Sequence, residues 1–150
     1  MIRRFEFHDR TATARVWHRS GGDEYDYLPM FQALDEKSAL ELFETLIVKT
    51  CDVWVYETGS EIRGFLAMKN SYIDRLYVDP AHQRSGIGSA LLGQAKALSP
   101  TGLQLHTHQR NERARRFYEK SGFVAVKFGL SPLPESLPDV EYHWSHQGDP

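Results

Sequence analysis

Two short stretches carry residue types and spacings suited to chemistry. The first is Gln83-Arg84-Ser85-Gly86-Ile87-Gly88, which follows Asp79-Pro80-Ala81-His82. Upstream, Tyr72 to Val78 is β-branched and aromatic, as strands are. Pro80 has no amide hydrogen to continue a central strand, so the strand must stop near Asp79. Downstream, Ile87, Leu91, Gln94 and Leu98 recur at helical spacing, with Ala90 beside them. A strand therefore turns through glycines into a helix N-terminus. The first amides of a helix have no partner within it, and the macrodipole makes that end positive. Gly86 and Gly88 carry no side chain to keep an anion away from those amides, and Arg84 can add a charge-assisted hydrogen bond. The turn is suited to a phosphate.

The second stretch is Asn111-Glu-Arg-Ala114-Arg115-Arg-Phe117-Tyr118, closed by Gly122-Phe123. On a helix, Asn111, Ala114, Arg115 and Tyr118 share one face. Arg113, Arg116 and Lys120 fall on the opposite, solvated side, and Phe117 lies at the boundary with the core. Asn111 is also a natural helix cap.

The glycine turn is not a P-loop, because no Lys-Ser or Lys-Thr follows its second glycine. Nor is it the three-glycine dinucleotide fingerprint. It does resemble the pyrophosphate-binding turn of the GNAT (Gcn5-related N-acetyltransferase) superfamily, with Leu76-Tyr77-Val78-Asp79-Pro80 before it. The segment Asn111 to Phe123 resembles that family's Asn…Ala-Arg-x-Phe-Tyr-x-x-x-Gly-Phe pattern. The likeness spans nearly the whole chain and is specific from Tyr72 to Val124.

The resemblance implies an α+β layered fold. Its central sheet would be mixed, mostly antiparallel and of six to seven strands, flanked by about four helices, with one splayed pair of parallel strands. It implies acetyl-CoA as cosubstrate. The pyrophosphate would rest on amides of Arg84, Ser85, Gly86, Ile87, Gly88 and Ser89, next to Gln83. Main-chain groups of Leu76, Tyr77 and Val78 would hold the pantetheine arm like an added strand and supply an oxyanion donor. Asn111, Ala114, Arg115, Phe117 and Tyr118 would complete the cofactor site, with Tyr118 protonating the leaving thiolate.

The acceptor amine must lose a proton before it attacks, since a lysine-type ammonium has a pKa of about 10. The base is left open among Asp74 on the strand from Tyr72 to Val78, His106 and His108 on the neighbouring one, and a water chain. Trp17, Tyr25, Tyr27, Tyr72, Arg75, Tyr77 and His106 are candidate acceptor contacts. The His106-Thr-His108 pair lacks a third ligand nearby, so no metal site is expected.

The rest of the chain must position these groups. A strand is expected over residues 2–7, with a helix capped by Asp9 or Thr11 that Gly21-Gly22 ends. A helix capped by Ser38 should run to about Lys49. Strands follow over 53–57 and 62–68, then 103–107, 123–130 and 140–144, and Ser131 to Asp139 reads as a loop with Pro132, Pro134 and Pro138. The 150 residues fit one domain over 1–150. The net charge is −2. Residues 1–60 hold 7 Lys/Arg against 11 Asp/Glu, and residues 61–150 hold 11 against 9. A basic second half suits a phosphate-bearing cofactor, and an acidic first half suits a cationic acceptor. The acidic total disfavours nucleic acid, despite the Arg110–Arg116 run. No apolar run reaches the roughly 20 residues of a membrane span. The single cysteine, Cys51, and the absence of a signal-like N-terminus point to the cytoplasm. The expected activity is N-acetylation of a primary amine on a small, amino-acid-like molecule. The alternatives are a protein lysine or N-terminal acetyltransferase, and a non-catalytic coenzyme A-binding module. A homodimer is left open.

Overall fold

The computed structural model describes residues 1–24, 33–132 and 136–146. Two compact units are formed, Met1–Lys69 with Asp74–Gln94, and Asn70–Ile73 with Ala95–Pro150. The elements in order are β1 (Ile2–Arg4), α1 (Arg10–Glu24), α2 (Glu36–Phe43), β2 (Asp52–Thr58), β3 (Glu61–Lys69), β4 (Tyr72–Val78), α3 (Ile87–Leu98), β5 (Leu103–His108), α4 (Glu112–Lys120), β6 (Val124–Leu130) and β7 (Pro138–Trp144). The strands make one seven-stranded sheet in the order β1-β2-β3-β4-β5-β7-β6. It is mixed: β4 and β5 are parallel and joined at Tyr72↔Gln104, while β5, β6 and β7 pair antiparallel.

In the first unit, the core gathers around Phe43, which is fully buried. Its ring meets Phe65 edge-on at 5.6 Å and Phe5 and Trp17 at 6.1 Å. Burying several aromatic rings in one place supplies much of a small core's stabilisation. Gly64 on β3 allows a close approach: a Cβ there would stand 3.0 Å from the Tyr77 carbonyl oxygen and 3.1 Å from both Ile87 Cγ2 and Leu91 Cδ1. In the second unit, Leu103, Leu105, Tyr118, Phe123, Val140 and Tyr142 are buried.

Several local expectations are corrected. Helix α1 runs through Gly21-Gly22 to Glu24. Each glycine costs about 1 kcal/mol in a helix interior, but Gly21 is buried and Ser20 hydrogen-bonds to the Val78 carbonyl, so tertiary packing prevails. Asp35, not Ser38, caps α2 by accepting from the Ser38 amide. Past Phe43 that helix widens into a π-helical turn, Glu44–Val48. The Asp9 carboxylate is held by Arg3, through two hydrogen bonds of 2.8 and 2.9 Å, and accepts from the Glu6 amide at 2.7 Å. The buried stripe of α3 is Ile87, Leu91, Leu92 and Ala95, while Leu98 is exposed. Pro138 begins β7, the strand position that tolerates a missing amide hydrogen.

Candidate functional site

In the first unit, the end of β4 is held by side chains of α1 and of the turn that follows it, and by the main chain of β3. The Val78 carbonyl accepts from Ser20 Oγ of α1 at 2.8 Å and from Gln83 Nε2 at 3.1 Å. Both of its lone-pair directions are used. Asp79 donates its amide to the Arg63 carbonyl on β3, accepts from the Ala81 amide at 2.9 Å and pairs with Arg19 of α1 at 3.1 Å. Asp79 thereby caps the single 3₁₀ turn Pro80–His82.

Beyond that turn the backbone becomes left-handed twice, at Arg84 (φ +65°) and Gly86 (φ +88°). Such reversals aim successive amides toward a common concavity that suits an anion. For arginine this conformation costs roughly 1–2 kcal/mol. A Cβ on Gly86 would meet nothing within 4 Å, so space lies open above the turn. The first intrahelical donor of α3 outside its regular ladder is Ala90, whose amide reaches the Gly86 carbonyl. The amides of Ile87, Gly88 and Ser89 precede it and have no acceptor within the helix. Ile87 is buried and anchors the helix start. Ser85 is committed to the His82 carbonyl through its hydroxyl.

The other expected groups of this unit are placed differently. Tyr77 points into the core, 5.9 Å from Phe65 between ring centroids, so only its main chain can face a ligand. Leu76 is half-buried. Trp17 is a core residue, packed against Phe43. Asp74 lies 3.7 Å from Lys69 Nζ and 3.5 Å from Arg75 Nε, so its carboxylate already balances two cations. Tyr27 lies outside the described residues.

The second unit holds α4. Asn111 caps it: Oδ1 accepts from the Ala114 amide at 3.1 Å. Arg115 donates from Nε to Tyr142 Oη at 3.1 Å and lies over the Phe128 ring. Tyr142 in turn donates to Glu119 Oε2 at 2.6 Å. Burial pushes the Tyr142 phenol up, and its bond to Glu119 pushes the same way; Arg115 opposes both. This network pins α4 to β7. Tyr118 is 8% exposed, with Phe117, Phe123 and Tyr142 rings at 5.1, 5.5 and 6.4 Å. Ala114 and Phe117 are half-buried beside it.

On the other face of β5, Tyr72 Oη lies 2.8 Å from His106 Nδ1. His106 Nε2 lies 3.6 Å from Glu141 Oε1, and Glu141 Oε2 lies 2.6 Å from His143 Nε2. The hydrogen bond from His143 holds the Glu141 carboxyl below the usual range; burial opposes it, and the charges of His106, His143 and Lys127 add to it. Sequence reasoning missed Ser20, Arg19, Tyr142, Glu119, Glu141 and His143. For Glu141 and His143 there was a signal: they alternate with Val140 and Tyr142, which marks the polar face of the last strand.

A family model, the acetyltransferase (GNAT) domain, matches residues 49–125, half of the chain and the whole of the strand–turn–helix unit. The chain belongs to that family. Among curated relatives of this GNAT domain, a peptidyl-lysine N-acetyltransferase YjaB of Salmonella typhimurium is 29% identical over 123 residues, covering 81% of each chain. Another, the peptidyl-lysine N-acetyltransferase YiaC of Escherichia coli, is 27% identical over 84% of each chain. The solution structure of apo YjaB from Escherichia coli shares the fold, with TM-score 0.77 at 23% identity over 96% of both chains. YncA of Salmonella typhimurium, solved with its cofactor acetyl-CoA, superposes with TM-score 0.69 at 17% identity, over 97% of this chain and 93% of that one. Among the described residues, no helix is long and apolar enough to cross a membrane.

Proposed function

We propose that the protein is an acetyl-CoA-dependent N-acetyltransferase whose acceptor is a lysine side-chain amine of a protein. The observation that carries the cofactor reading is the turn after β4, where Arg84 and Gly86 adopt left-handed conformations directly before the open N-terminus of α3. Relatives named peptidyl-lysine acetyltransferases, alike over four-fifths of the chain, favour lysine over the small amine expected from sequence. Acetyl-CoA supplies an activated thioester when bound. The residues present fit it: amides of Arg84 to Ser89 for the diphosphate, the Arg84 guanidinium for its charge, and main-chain groups of Leu76 to Val78 for the extended arm. Because the Val78 carbonyl already accepts two hydrogen bonds, the arm is assigned to the remaining main-chain groups of that segment. Tyr118 is assigned proton donation to the departing thiolate, whose pKa is about 8.5 by analogy with cysteine. Asn111 and Arg115 act by fixing the helix that carries it.

The test is incubation of the purified protein with acetyl-CoA and, separately, lysine-containing peptides and a panel of small amines, with free thiol and acetylated product both measured. Acetylation of the lysine Nζ is the expected result. Turnover confined to small amines would replace the acceptor assignment, and coenzyme A binding without turnover on any amine would leave a non-catalytic module.

A further inference from the structure

We propose that Tyr72, His106 and Glu141 form a proton relay that accepts the proton lost by the acceptor amine. The proposal rests on the amine-acetyltransferase reading above and adds the base that reading lacks. Asp74, one of the base candidates from sequence, is engaged by Lys69 and Arg75.

Three strands each contribute one member. His106 on β5 stands directly across from Glu141 on β7. Tyr72 on β4 stacks against the imidazole with ring centroids 5.7 Å apart and reaches Nδ1 with its hydroxyl at 2.8 Å. The imidazole is therefore addressed on both edges, by a phenol at Nδ1 and by a carboxylate 3.6 Å from Nε2. A tyrosine beside a histidine on a sheet is often no more than a cross-strand packing pair. The carboxylate on the far edge sets this pair apart: its charge, 3.6 Å from Nε2, favours hydrogen on that nitrogen, and in that tautomer Nδ1 accepts from the phenol. The array is reachable: the His106 side chain is 41% exposed and that of Glu141 24%. The other titratable groups facing it are His143 on β7, bonded to Glu141, and Lys127 on β6, across from Glu141. Tyr72 also stands on β4, the strand whose later residues are assigned to the thioester arm.

The step balances as follows. An N–H bond of the acceptor ammonium breaks, and its electron pair stays on nitrogen for attack. The proton passes through one intervening water to Tyr72 Oη as the phenol's own proton moves to His106 Nδ1. The resulting imidazolium faces the Glu141 carboxylate; after acyl transfer its Nδ1 proton returns to Tyr72 Oη as the phenol releases its own proton to solvent, which restores the starting tautomer.

The experiment measures kcat and KM for acetyl-CoA with a lysine peptide, from about pH 6 to about pH 10, in the protein and in Tyr72→Phe, His106→Gln and Glu141→Gln. Near neutral pH, Tyr72→Phe and His106→Gln are expected to lower kcat about 100-fold, with KM for acetyl-CoA unchanged. That deficit should shrink as pH approaches the amine's own pKa of about 10.4, where the amine loses its proton unaided. Glu141→Gln should lower kcat less, by about tenfold. A second readout needs no turnover: nitrogen-15 imidazole shifts of the apoprotein should report the Nε2–H tautomer for neutral His106. A deficit of constant size across the pH range, no deficit, or an Nδ1–H tautomer would overturn the relay while leaving the acetyltransferase reading intact. An unaltered protein that releases no thiol with any amine would overturn that reading and the relay together.

Discussion

The turn after β4 and the helix α4 are the two stretches that look most alike in information content, yet they use their residues in opposite ways. In the turn, the informative residues shape the main chain. Gly86 and Arg84 adopt left-handed backbone, Gln83 and Ser85 tie carbonyls, and what remains open is a row of amides. In α4, the informative residues spend their side chains on the protein itself. Asn111 caps, Arg115 and Tyr142 clamp, and Phe117 packs beside Tyr118. A motif can thus shape a main-chain surface in one place and, in another, the scaffold around the residue proposed as proton donor.

Substitutions can break this contrast. The largest effect is expected from Tyr118→Phe, which keeps the ring packing and removes the proposed proton donor; kcat should fall about 100-fold with coenzyme A affinity nearly unchanged. A comparable loss of affinity by calorimetry would instead place Tyr118 in binding. Next comes Gly86→Val. Nothing crowds a Cβ there, so the cost is backbone strain of about 1–3 kcal/mol together with an obstructed anion cradle. Coenzyme A affinity should drop roughly 10- to 100-fold, and an unchanged dissociation constant would refute the turn as the binding surface. Tyr142→Phe removes the hydroxyl shared by Arg115 and Glu119 and should cost about 1–1.5 kcal/mol in urea unfolding. It should also lower kcat modestly by loosening α4, without touching coenzyme A affinity. Asn111→Ala should cost about 1 kcal/mol, visible as a lowered Tm, if the cap is its main duty. Arg84→Gly is expected to separate shape from charge with the smallest effect: relief of the left-handed strain stabilises by up to about 1 kcal/mol, while coenzyme A binding weakens several-fold and becomes less sensitive to salt. Equal salt dependence before and after would remove the guanidinium from the phosphate contacts.

Much of this was legible in the chain. Tyr72–Val78 reads as a strand with the bounds observed, because its composition and Pro80 agree. The α4 face reads correctly because 3.6-residue spacing, the Asn111 cap and Gly122 point the same way. Where local and tertiary preferences conflict, local reading fails. Gly21-Gly22 looks like a helix stop, yet buried contacts carry α1 through it. Trp17 could equally be read as pocket or core, and only the assembled Phe43 cluster distinguishes them. The positive φ of Arg84 was invisible, since nothing about an arginine announces a left-handed backbone. The Tyr72–His106–Glu141 array was half visible: alternation puts His106 on the polar face of its strand, but the partner strand's register cannot be read from one sequence.

Gly64 carries a practical consequence for anyone redesigning this protein. The missing methyl group at that position sets the thickness of the layer between β3 and the beginning of α3. Alanine there would press on Ile87 and Leu91 and on a main-chain oxygen of β4 that has little freedom to retreat. The mouth of the helix would then be lifted from below, so a ligand could be lost through a substitution that never touches it.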